Sequence, residues 1–180
     1  MSKRKIKPKD TPTPVGSFAI ASEWHRVIDE LDRESDRGVA LIAAAFLDTA
    51  LRSLLEASLA GGQTVADKLF NSPNAPLGTF SSRIAMAYGL GHIGPHYFNA
   101  LESVREIRNV FAHFRRALTF EDPEIRKWIE STFTLPYILP SPPPDLSLMR
   151  NRYIWTTAGI LAWISDAKRK AQRPSLPENA

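Results

Sequence analysis

The sequence predicts an all-α fold, a single helical bundle, and three observations predict it. Apolar residues recur at intervals of three and four through most of the chain, the spacing of one face of a helix. No segment alternates apolar and polar residues as a half-buried strand does. Hydroxyl or carboxylate residues open these segments and glycines or prolines close them, which marks helix boundaries. At 180 residues the chain suits one domain with a sizeable core.

The elements follow in order. Residues 1–16 are basic and proline-rich, too poor in apolar side chains to offset the entropy of ordering, and are expected to be disordered. Ser17 can cap a first helix through about Arg33, with Ile20, Trp24, Val27, Ile28 and Leu31 on one stripe. A second helix starts at Ser35 and Asp36, runs through the apolar stretch Val39 to Leu47 to about Leu59, and is stopped by Gly61 and Gly62. Apolar nearly all round, it is expected to be the central, most buried helix. Thr64 and Asp67 form a capping pair for a short helix ending at Phe70. Asn71 to Gly78 is a loop by its turn residues, and Thr79 caps a helix to about Leu90. A long helix follows from about Pro95 to Arg116, then a shorter one from Glu121 to Thr132. Five prolines between Pro136 and Asp145 exclude helix and central strand, so this segment is expected to strap across the surface. A last helix spans about Leu146 to Ala171, and residues 173–180 form a second disordered tail. The folded domain is therefore residues 17–172.

Composition narrows the function. The chain has no cysteine, which excludes disulfides, thiol catalysis and cysteine zinc sites, and suits a reducing cytoplasm. No apolar run approaches the roughly 20 residues of a membrane span, and no apolar segment follows the basic start as in a secretory signal. The net charge is +4, all of it from Lys3, Arg4, Lys5, Lys7 and Lys9 against Asp10. The remaining chain is neutral, so no broadly basic face for duplex DNA is indicated. The basic tail could touch nucleic acid, but a solubilising role is the simpler reading.

The candidate site lies on the long helix. Asn109 and His113 are four apart and share a face, and Arg108 stands beside them. That set offers a cation, an amide and a group that titrates near neutrality. It could cleave RNA without metal: the histidine moves the proton of a ribose 2′-hydroxyl or of the leaving oxygen, the arginine holds the phosphate, and the asparagine orients either. Acid and base together need two copies, hence a homodimer. The structural alternative pairs the arginine with a carboxylate such as Glu106 or Asp48. A second set, Glu34, Asp36 and Arg37 before Gly38, crowds the start of the second helix; capping and ion pairs suffice to explain it, and the glycine suggests a close helix contact. Asp48 interrupts an apolar run and calls for Arg52 one turn on, or a cation from another helix. His25, His92 and His96 show no metal spacing, and no metal or cofactor is expected. There is no phosphate loop after a strand and no evident helix-turn-helix.

Several separated blocks together resemble the mannitol operon repressor (MltR) family: ESDRGVALIAAAFLD at Glu34 to Asp48, Leu69-Phe70, APLGTFSSRI at Ala75 to Ile84, AYGL at Ala87 to Leu90, and IRNVFAH at Ile107 to His113. The resemblance covers roughly residues 23–133. It implies an all-helical cytoplasmic bacterial protein in transcriptional repression of a sugar-alcohol operon, working through a partner because the family shows no standard DNA-binding motif. Arg108, four residues and His113 are also similar to the motif of the HEPN superfamily, many of whose members are dimeric metal-independent RNases of toxin–antitoxin or phage-defence systems. The tyrosine that often follows the histidine by two residues is absent, with Arg115 in its place. The leading expectation is a non-enzymatic dimeric regulator with a protein or nucleic-acid partner. The alternatives are a HEPN-type endoribonuclease using Arg108, Asn109 and His113, and a scaffold without catalysis.

Overall fold

The computed structural model describes residues 17–114, 117–133, 145–171 and 174, and for residues 17–24 the helical backbone alone. The first predicted tail lies outside the described residues, as do the proline strap except for Asp145 and the second tail except for Pro174. Among the described residues there are seven helices and no strand: α1 (Ser17–Asp32), α2 (Asp36–Ser58), α3 (Gly62–Phe70), α4 (Phe80–Gly89), α5 (Pro95–His113), α6 (Pro123–Thr132) and α7 (Met149–Lys170). The all-α expectation holds.

The boundaries follow local chemistry. Ser35 is the N-cap of α2, its hydroxyl accepting from the Gly38 amide at 3.1 Å. Thr79 caps α4 in a reciprocal box with Ser82. Pro95 opens α5 where its missing N–H costs nothing. The Thr64 and Asp67 capping pair does not form. Gly61, at φ +89, occupies the N-cap of α3 and lets the helix start two residues earlier; Asp67 instead accepts from the Gln63 and Asn71 side chains. α5 ends at His113, short of Arg116, because the chain turns extended at Phe114.

α2 is the hub and touches α1, α4, α5 and α7. By length and composition it could cross a membrane, contrary to the reading that no run reaches that length; here Val39, Ala43, Leu47, Leu51 and Leu54 are buried in the bundle. It is nevertheless not the most enclosed helix. Ala45 and Thr49 face out, whereas α7 is buried all round from Tyr153 to Ile160. The core between α5, α6 and α7 is aromatic: Phe111 lies 5.2 Å from Phe120, Phe120 4.7 Å from Tyr153, and Phe133 5.3 Å from Tyr153 between ring centres. Tyr153 is fully buried with no partner for its hydroxyl, and burial pushes that hydroxyl far above its ordinary value.

Candidate functional site

The start of α2, the end of α5 and the start of α7 meet at one corner of the bundle. Asp36 accepts from Arg150 at 2.6 Å through one oxygen and from the Phe120 amide at 3.0 Å through the other. Arg150 also donates to the carbonyls of Glu34 at 2.6 Å and Leu31 at 3.1 Å, at the open end of α1. Arg37 donates to the Phe114 carbonyl at 2.6 Å, one residue past His113. The two sequence motifs, Glu34-Asp36-Arg37 and Arg108-Asn109-His113, are thus neighbours across space. Phe114 itself is 47% exposed at this corner.

On α5, Leu101, Val104, Ile107 and Phe111 turn inward and are buried. The outward face carries Glu102, Arg105, Glu106, Asn109 and His113. Asn109 and His113 share this face as expected, and His113 is exposed in the last turn, where a cation suits the helix dipole. Arg108 is exposed but lies five residues from His113, about 140° round the helix. It reaches back to donate to the Asn109 side-chain carbonyl at 3.0 Å. Glu106 is instead bonded by Arg105, which also takes Glu102 at 2.9 Å. The arginine of the motif is therefore not consumed by the carboxylates proposed for it.

Asp48 stands apart from this corner. It does not take Arg52, which pairs with Glu56 at 2.8 Å. Its partner is the buried Arg83 of α4 at 2.7 Å, the cation from another helix. Arg83 also donates to the Leu77 carbonyl at 2.9 Å and lies over the Phe70 ring, so the trio ties α2, α4 and the preceding loop together. Gly38 makes no close helix contact: a Cβ there would meet the side chain of Glu34, one turn earlier, and that side chain can move.

Two residues that organise these sites escaped the sequence reading, and both carried a signal. Arg150 is a cation in the first turn of a helix, where the dipole disfavours it unless it has an anion or carbonyls to meet. Arg83 is the lone charge between Leu69 and Leu101. A shallow groove of about 390 Å³ opens beside the outward face of α5, lined by His96, Asn99, Glu102, Ser103, Ser131 and Thr132. Its floor is the Ser103 to Thr132 hydrogen bond, 3.0 Å, which joins α5 to α6. Among the described residues no group of three or more metal-ligating side chains comes together.

No protein-family model matches the chain, and no curated protein matches it in sequence. In three dimensions it is similar to a chain from the X-ray structure of the MtlR–HPr complex from Escherichia coli, with a TM-score of 0.64 and 21% identity. The likeness covers 80% of this chain and 99% of that one. It shows that the two share a fold.

Proposed function

We propose that this chain is a transcriptional regulator of the mannitol operon repressor type, acting in the cytoplasm as a homodimer through a protein partner. The observation that carries the reading is the shared fold, which extends over 99% of a chain from the MtlR–HPr complex. The ordered blocks from Glu34 to His113 point the same way. The surface also suits protein rather than duplex DNA: the outward face of α5 mixes Glu102, Glu106, Arg105 and Asn109 and offers no continuous row of cations to neutralise phosphates. A polar, mixed-charge helix face supports a reversible contact with a small protein.

The test is isothermal titration of the full chain with HPr from the same cell. Binding with a Kd of about 10⁻⁶ M is the expected result, near −8 kcal/mol. Absence of heat at about 100 μM of each protein would remove the partner reading. A reporter under a sugar-alcohol promoter, repressed only when both proteins are present, is the matching readout in cells.

The exposure of Arg108 and His113, with Arg108 bonded to Asn109, favours one second reading, a HEPN-type endoribonuclease. In it His113 takes the proton of a ribose 2′-hydroxyl, the 2′-oxygen bonds to phosphorus, and the 5′-oxygen leaves with a proton from the second subunit's imidazole, giving a 2′,3′-cyclic phosphate. Arg108 holds the phosphate oxygens. Under this reading induced expression is toxic and His113→Ala restores growth, with RNA cleavage lowered by about 10²-fold or more. Equal toxicity of the mutant excludes the mechanism.

A further inference from the structure

The groove between α5 and α6 has hydroxyl groups whose donor order is fixed. Ser131 donates its one hydroxyl proton to the Trp128 carbonyl at 3.1 Å. The 3.2 Å contact between Ser131 and Thr132 is then donated by Thr132. Ser103 in turn donates to Thr132 at 3.0 Å. All three protons are spent along this row, which ends on a backbone carbonyl. What the row turns to the groove is lone pairs, above all those of Ser103, because a hydroxyl oxygen can accept two bonds.

Asn99, Glu102 and Ser103 stand three and four apart and share one face of α5, along the groove. Asn99 is exposed, and its side-chain amide has no partner among the described residues. Glu102 meets Arg105 with one oxygen at 2.9 Å, and its other oxygen has no partner among the described residues. The groove therefore presents several acceptors and one amide that both donates and accepts. Its charges are already matched. Arg105 serves Glu102 and Glu106, and Arg126 serves Glu130. Arg152 donates to the Phe133 carbonyl at 2.7 Å, just past the end of α6. No surplus of negative charge is left to hold an ammonium group. A phosphate is unsuited as well, because its oxygens would face acceptors.

We propose that this groove binds a polyhydric alcohol, an uncharged open chain with hydroxyls on successive carbons. Each hydroxyl can donate to Ser103 or Glu102 and accept from Asn99. The groove's volume of about 390 Å³ lies within the range of small-molecule sites, about 300–1,000 Å³. Its lining holds no Trp, Tyr or Phe, hence no flat apolar platform for a closed sugar ring. As the effector site of a regulator the assignment rests on the reading above. As a binding site it rests on the groove alone.

The test is a titration of the nitrogen-15-labelled full chain with D-sorbitol and D-mannitol to about 50 mM, read by nuclear magnetic resonance. The side-chain amide of Asn99 is expected to shift and saturate with a Kd of about 10⁻³ M. Asn99→Ala replaces an exposed side chain by the best helix former, so the fold is retained. It should weaken binding about ten-fold, followed at the backbone amides of Ser103 and Thr132. Spermidine and methyl glucoside should give no saturating shift. Saturation by spermidine but not by the alcohols would make this a cation site and overturn the proposal. Methyl glucoside binding as tightly as the alcohols overturns the open chain. Shifts that grow without saturating, or binding unchanged by Asn99→Ala, overturn the site itself. Alcohol binding without heat from HPr leaves the groove standing and removes only the partner; heat from HPr without alcohol binding does the reverse.

Discussion

Arg83→Ala is expected to lower the stability of the fold by about 3 kcal/mol, the low end of what removing one member of a buried ion pair costs. The loss has three parts. Asp48 keeps a carboxylate with one oxygen already buried and without a partner, and now loses the Arg83 contact of 2.7 Å on the other. The Leu77 carbonyl loses its side-chain donor at 2.9 Å. The face of Phe70 loses a guanidinium 5.7 Å from its centre, keeping that of Arg52 at 5.2 Å. The low end applies because the Asp48 side chain is 30% exposed and water relieves part of the penalty. For a domain of this size the midpoint of thermal unfolding should fall by about 10 °C. Urea unfolding checks it, and a change under about 1 kcal/mol sinks the account. Arg83→Met combined with Asp48→Leu should recover most of the loss, since apolar residues of similar volume replace buried pairs at little cost. A double variant as unstable as the alanine one would show that packing, not the stranded charge, is responsible.

Arg150→Ala is expected to cost about 2 kcal/mol and to act locally as well as globally. Its guanidinium holds the Asp36 carboxylate and the Leu31 and Glu34 carbonyls, fastening the end of α1 and the start of α2 to the start of α7. Without it, the last carbonyls of α1 must find water. Asp36 keeps the Phe120 amide, so the corner should loosen rather than open. Amide hydrogen exchange at Arg33 to Asp36 should quicken by about ten-fold or more while α5 stays protected. Arg150→Lys should recover less than half, because a single ammonium cannot serve separated acceptors as a planar fork does. Unchanged exchange between Arg33 and Asp36 would mean that this clamp holds nothing.

The helices were legible because their signals are local. Ser35 and Thr79 cap where their hydroxyls stand next to free amides, and α5 shows its buried face in Leu101, Val104, Ile107 and Phe111. The errors have the same origin. Thr64 and Asp67 have the spacing of a capping pair, yet Gly61, three residues before α3's expected start, took the N-cap position. The sequence of α7 places Met149, Tyr153, Ile160, Trp163 and Ile164 on one side, and the helix is nevertheless buried all round from Tyr153 to Ile160, since α1, α2 and α6 all pack on it. Asp48 shows the limit for the site. Its sequence neighbours offered Arg52, and the fold supplied Arg83 from thirty-five residues away.

What the sequence by itself determined is the all-α class, the order of the helices, the absence of thiol chemistry and the shared face of Asn109 and His113. Each follows from residue type or from spacing within one turn, and both are fixed by covalent geometry before any helix meets another. What only the tertiary structure decided is which helix is enclosed, who pairs with Asp36, Asp48 and Arg37, and that the start of α2 lies beside the end of α5. Those outcomes depend on contacts between residues distant in the chain. Burial and ion pairing belong to the assembled bundle, where each side chain's surroundings come mostly from other helices.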